Sequence, residues 1–163
     1  MENILKKALV WQDYARSKSI AHYALAERNR QYNLKLGVFV TLFTSIVGTT
    51  IFATLTNENK NLTLQIVTGF LSVAASVLSA FHTFLRFPET AQQHKTAAAS
   101  YDAIRHKIDL LLISYEGRND LALQESALNE IKAISIDLDK IAETAPTIPD
   151  KIYDKINKKI VTG

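Results

Sequence analysis

Along most of this chain, apolar and polar residues alternate at helical spacing, but two stretches lose that alternation. Between Lys35 and Glu58 lie 22 residues without a formal charge, LGVFVTLFTSIVGTTIFATLTN, and between Lys60 and Arg86 lie 25 more, NLTLQIVTGFLSVAASVLSAFHTFL. At a rise of about 1.5 Å per residue the shorter stretch reaches roughly 33 Å, enough to cross a bilayer's hydrocarbon core. Its eleven large aliphatic or phenylalanine side chains contribute roughly −3 to −7 kcal/mol to insertion before its hydroxyls and glycines are counted. The pattern predicts transmembrane helices over 36–57 and 62–85, joined by a short external turn over 58–61. A buried hairpin in a soluble bundle is the alternative, but such helices are usually shorter and keep a charged stripe.

On either side of these stretches the helical period returns. Ile4, Ala8, Trp11 and Ala15 are spaced 4-3-4, and the phase resumes at Leu25, Tyr32 and Leu36 beyond the polar Lys18 and His22. This predicts one long N-terminal helix over 1–35 that leads into the first span, with Ser17 to Ser19 as the place where a break could fall. After the second span, Phe87-Pro88 marks a helix restart, because proline is tolerated in a first turn. Tyr101, Ile104, Ile108, Leu111 and Tyr115 then repeat 3-4-3-4 up to Gly117. A further helix, capped by Asn119 or Asp120, carries Ala127, Ile131, Ile134, Leu138 and Ile141, and Pro146 and Pro149 end it. Asp150 starts a last short helix with Ile152, Ile156 and Ile160 on one face. The expected fold is an all-α membrane protein, a two-span hairpin with a long N-terminal helix and a C-terminal helical bundle over 86–163. Apolar stripes on short-linked helices must pack on one another, on the N-terminal helix or on other subunits. Tyr101, Ile104, Ile108, Leu111, Ile131 and Leu138 are therefore candidate packing or assembly residues.

Charge orients the hairpin. The 163 residues carry 19 Lys or Arg and 16 Asp or Glu, a net +3, and seven of the basic residues precede the first span while one, Lys60, lies in the connector. The positive-inside rule then puts both termini in the cytoplasm and the protein in the cell inner membrane. The early basic pair Lys6-Lys7 has no uninterrupted apolar run behind it, so a cleaved signal peptide is not expected.

Within the spans, small and hydroxyl residues recur on one side. Thr41, Ser45, Gly48 and Thr49 mark the first span, with Gly37 and Thr44, while Gly69, Ser72, Ser76 and Ser79 mark the second. Such stripes let helices approach closely, or line a water path in an oligomer, and the two roles are compatible. His82 lies near the cytoplasmic end of the second span and is a candidate for gating or pH sensing.

Catalytic chemistry is not expected. There is no cysteine, and five glycines leave little for a phosphate-cradling loop. No GxGxxG, Walker, GxSxG or HExxH pattern occurs, and His94 and His106 have no partner at metal-ligand spacing. No catalytic residue, metal or cofactor is therefore assigned. The near-neutral C-terminal part has no basic stripe with interleaved aromatics, so no nucleic-acid partner is expected.

The segments AHYALAERNRQYNLKLG before the first span, FPETAQQHKTAAASYDAIRHKIDLLL after the second and TIPDKIYDKI in the tail, with His94, Tyr101, Arg105 and Ile108, resemble the SLATT domain family. These are two-transmembrane effector domains that accompany bacterial SMODS nucleotidyltransferases and SLOG sensors. The resemblance covers nearly the whole chain. It implies an inner-membrane effector of a defence or conflict system, acting through an oligomeric pore or other membrane disruption. The chain has no sensor segment of its own, so the resemblance implies a trigger from a separately encoded sensor or nucleotide-signal synthase. Two other classes stay open: a non-conducting anchor or scaffold that recruits a cytoplasmic partner, and a subunit of a larger ion pathway.

Overall fold

The computed structural model describes residues 2–56, 62–115 and 121–162. They form five helices in chain order: α1 (Glu2–Thr56), α2 (Leu62–Phe84), α3 (Phe87–Tyr115), α4 (Leu121–Thr144) and α5 (Asp150–Thr162). No strand occurs among the described residues. The expected turn over 58–61 and the residues Gly117, Asn119 and Asp120 lie outside them.

The N-terminal helix runs unbroken through Ser17 to Ser19, since α1 is a single helix of 55 residues. No proline interrupts it, and its first glycine is Gly37. Ser17 and Ser19 are buried, so their side chains pack inside the fold and do not end the helix.

Proline and one strained residue set the other boundaries. Arg86 adopts a left-handed backbone, φ 43°, costing about 1 kcal/mol for a residue with a Cβ. It joins two helices: Leu85 N donates to Phe81 O at 3.0 Å to close α2, and Thr90 N donates to Arg86 O at 3.1 Å to open α3. Pro88 falls in that first turn, where its missing N–H leaves no bond unmade. At the far end Ala145 N donates to Ile141 O, and the Pro149 carbonyl accepts from Ile152 N and Tyr153 N to start α5.

The chain divides into two compact units. One comprises Met1–Glu27 and Ala91–Gly163, a bundle of the first half of α1 with α3, α4 and α5. Its core is one cluster of Ala8, Ala15, Tyr101, Ile104, Ile108, Leu111, Tyr115, Ala127, Ile131, Ile134 and Leu138, with Ile4, Leu5, Trp11, Leu112 and Ile141 packed around it. The alanines of α1 let that helix come close, and the branched side chains of α3 and α4 fill the space between. Around this core Gln12 donates to Asp109. The Tyr115 hydroxyl donates to Glu130 Oε1 at 2.8 Å and meets Ser126 Oγ at 3.0 Å. Lys107 Nζ bonds Asp137 Oδ2 at 2.7 Å in the open and holds that carboxyl below its ordinary range. Lys18 Nζ sits 4.4 Å from the centre of the Tyr153 ring, fixing the start of α5 against α1.

The other unit, Arg28–Thr90, is the hairpin of the second half of α1 with α2. Leu36, Val40, Phe43, Val47 and Thr50 are half-buried at 4-3-4-3 spacing on α1. On α2, Thr68 and Ala75 are buried, and Leu71, Ser72, Leu78 and His82 half-buried, at a matching 3-4-3-4 spacing. These are the two sides of one seam, as in helices crossing at a shallow angle. Gly37, early in the first span, lies opposite His82, late in the second, so the pair is antiparallel.

Removal of a core methyl set and of an exposed one should differ sharply. Ile108→Ala, at a side chain with no exposure, is expected to cost about 2–4 kcal/mol in chemical unfolding of the detergent-solubilised protein. Ile113→Ala, on the open face of the same helix, is expected to change stability by about 0.5 kcal/mol or less.

Candidate functional site

The apolar side chains of the hairpin face outward. Phe70 is 77% exposed and Phe84 80%, with Phe39, Leu42, Ile46, Phe52, Ile66 and Val73 all more than half exposed. Of the most apolar windows, only 6% and 11% of residues are buried within the protein. A core hairpin of a soluble bundle would show the reverse. Exposure of this much contiguous apolar surface is stable only against hydrocarbon, and both helices are long enough to cross it.

On this hairpin the small and hydroxyl residues lie mostly off the seam. Thr41, Ser45, Gly48 and Thr49 are exposed, as are Gly69, Ser76 and Ser79, and Ser72 alone of the eight is half-buried along the packing face. A Cβ built on Gly48 or Gly69 would meet nothing within 4 Å, so neither glycine is used for close approach inside one hairpin. Helical geometry accounts for this. Residues four apart advance about 400°, so the row Gly37, Thr41, Ser45, Thr49 turns about 40° per step, whereas a 4-3 seam hardly turns. The row starts at the seam and rotates off it. On α2 the row is offset by one residue, about 100°, from Thr68, Leu71, Ala75 and Leu78.

The hydroxyls of Thr41, Ser45, Thr49, Ser72 and Ser76 are paired with their own backbone. Thr41 Oγ1 donates to Gly37 O at 2.9 Å, Ser45 Oγ to Thr41 O at 2.8 Å and Thr49 Oγ1 to Ser45 O at 2.8 Å. The second span repeats this from Thr68 to Leu64 O, Ser72 to Thr68 O and Ser76 to Ser72 O, at 2.8 to 2.9 Å. A hydroxyl so bonded adds little desolvation cost in lipid and still has lone pairs for a neighbouring helix or for water. His82 is half-buried, its Nε2 3.7 Å from a Cβ placed on Gly37.

In the bundle unit, the candidate packing or assembly residues lie in one core cluster. Tyr101, Ile104, Ile108, Leu111, Ile131 and Leu138 are buried within one chain, so their apolar surface is already consumed by intramolecular packing. A buried polar pair lies beside them. His22 of α1 and His94 of α3 are 1% and 5% exposed, and their Nδ1 atoms lie 2.9 Å apart. The His22 ring stacks on Tyr101, with centres 5.7 Å apart and planes 14° from parallel, and Tyr14 meets Tyr101 edge-on at 6.3 Å. Burial, then His94, then Lys18 hold His22 down to about 4 from an ordinary 6.5. Burial and Tyr14 push Tyr101 up to about 12. Both groups are therefore neutral near pH 7. The signal was in the sequence: His22 continues the sevenfold spacing of Ala8 and Ala15, and His94 that of Tyr101, Ile108 and Tyr115. Reading His22 as a polar interruption hid it.

Among the described residues no three His, Asp or Glu side chains converge as metal ligands would. The class defined by these features is a two-span helical membrane protein carrying a helical bundle. The chain belongs to the SMODS and SLOG-associating 2TM effector domain family 4, which matches residues 12–161. No curated protein and no solved structure matches it.

The two sides of the hairpin should respond differently to bulk. Gly37→Ala fits at ordinary contact distance, whereas Gly37→Leu must displace His82 and is expected to cost about 1–3 kcal/mol in unfolding of the monomer in mild detergent. Gly48→Leu enters open space and is expected to leave that monomer's stability within about 0.5 kcal/mol.

Proposed function

We propose that this protein is an oligomeric inner-membrane effector of a bacterial defence or conflict system, in which several hairpins assemble to open a pore or disrupt the bilayer. The membrane-associated effector role in such systems is the one its family carries. The observation that supports assembly is the placement of Thr41, Ser45, Gly48, Thr49, Gly69 and Ser76 on faces that one hairpin leaves unpartnered. Two helices cannot enclose a lumen, and close helix contacts in lipid depend on small and hydroxyl residues of this kind. Both termini lie in the cytoplasm in this reading, because seven basic residues precede the first span and one lies between the spans. The bundle then receives the signal of a separately encoded sensor or nucleotide-signal synthase, and the protein itself performs no catalysis.

A non-conducting anchor is the second reading. It is favoured by the hydroxyl-to-backbone bonds, which let the same faces rest in lipid without a partner.

Reconstitution into dye-loaded vesicles separates the two. For a pore, leakage in the activated state should fall at least about tenfold with Gly48→Leu or Ser76→Leu, while Phe70→Leu on the lipid face leaves it unchanged. Growth arrest on induction should be lost when both spans are replaced by unrelated apolar helices. Retained growth arrest with the replaced spans, together with vesicles that never leak, would establish the anchor instead.

A further inference from the structure

The corner between α2 and α3 turns on a backbone of φ 43°, which glycine adopts freely and which an arginine holds there at a cost. Within the protein the Arg86 side chain gains little in return. Its one ion pair among the described residues, to Glu89 at 3.7 Å, joins two largely exposed groups one turn apart. Most of the guanidinium's five N–H donors are therefore open. The hairpin also sets this arginine at a defined depth. Gly37 lies opposite His82, and five residues further along each strand of the hairpin Tyr32 meets Phe87, with ring centres 6.0 Å apart. That register puts Arg86 level with Asn33 and Lys35 level with Phe84, so the two cations stand within about 3 Å of one another along the hairpin axis. They are the charges that bound the two uncharged stretches at this end, and both are exposed. Around and below them Leu34, Phe39, Phe81, Phe84 and Leu85 present apolar side chains outward.

We propose that Arg86 and Lys35 form a binding site for the headgroup of an anionic phospholipid. Arg86 grips the phosphate through paired N–H groups, Lys35 adds a second positive charge, and the acyl chains lie along the apolar side chains below. An anionic lipid is favoured over a zwitterionic one because its phosphate carries no tethered ammonium to compete with the two cations. Glu89 is the one carboxylate paired with Arg86, and a phosphate displaces it from a long, exposed contact. The site belongs to the hairpin unit alone, and it holds whether the protein conducts or merely anchors.

The test places a reporter beside the site. The full chain carrying Phe84→Trp is reconstituted in vesicles of phosphatidylcholine and phosphatidylglycerol, one or the other brominated on its chains. Quenching is read against the parent chain, whose single tryptophan is Trp11. At low salt phosphatidylglycerol should outcompete phosphatidylcholine at this reporter by about fivefold or more, the contribution of one basic group at an anionic surface. The preference should shrink toward unity in about 1 M salt. Arg86→Gln should remove most of it and Lys35→Gln part of it, whereas Arg86→Lys should keep about half. Arg86→Gly relaxes the corner, so it removes the charge without straining the fold, and should lose the preference as fully as Arg86→Gln. Phe52→Trp, a reporter at the far end of the hairpin, should show a preference near unity throughout. The site is overturned by no phosphatidylglycerol preference at Phe84→Trp, by an equal one at Phe52→Trp, or by a preference that survives both Arg86→Gln and Arg86→Gly in folded protein. Loss of the preference on adding inorganic phosphate at matched ionic strength would make free phosphate the ligand and overturn it too.

Discussion

The requirement that apolar surface meet hydrocarbon governs the hairpin. Its helices satisfy their backbone groups internally, bond their hydroxyls to carbonyls one turn earlier, and leave Phe70 and Phe84 almost wholly outside. Such a hairpin in water would associate at once through those faces. In lipid the same surface costs nothing, and the hydrophobic effect no longer drives the helices together. What remains is shape and short-range packing, so a narrow seam with Thr68 and Ala75 at its buried points suffices to pair them.

The bundle obeys the opposite rule. There burial of Ile108, Leu111, Ile131 and Leu138 is the driving term, and alanines on α1 set how closely the helices approach. Against that background the buried pair His22 and His94 is conspicuous, because an imidazole gives up water to enter such a core. Arg86 marks the junction of α2 and α3. One residue in a left-handed conformation turns the chain, and Pro88 begins the next helix without forfeiting a bond.

For an effector of this family, the two units divide the work by chemistry. The hairpin presents small and hydroxyl residues on surfaces that only another hairpin, lipid or water can meet. The bundle has spent its expected apolar stripes on its own core, so they are not free to join subunits.

The chain's own order of residues determined the helices, the two spans and the restart at Phe87-Pro88, because each depends on local periodicity, charge content and the missing N–H of proline. It also determined the core stripe from Tyr101 to Tyr115, since a 3-4 spacing keeps one face toward any partner. The seam of the hairpin was decided in three dimensions. A row such as Gly37, Thr41, Ser45 and Thr49 looks like a contact face when read along the chain, yet its spacing rotates it off a neighbour that follows a 4-3 path. The continuity of α1 through Ser17 and Ser19, and the meeting of His22 with His94, were likewise tertiary outcomes. Small hydroxyls end a helix only where solvent can reach them, and two histidines separated by 72 positions become a pair only when their helices bury the same face.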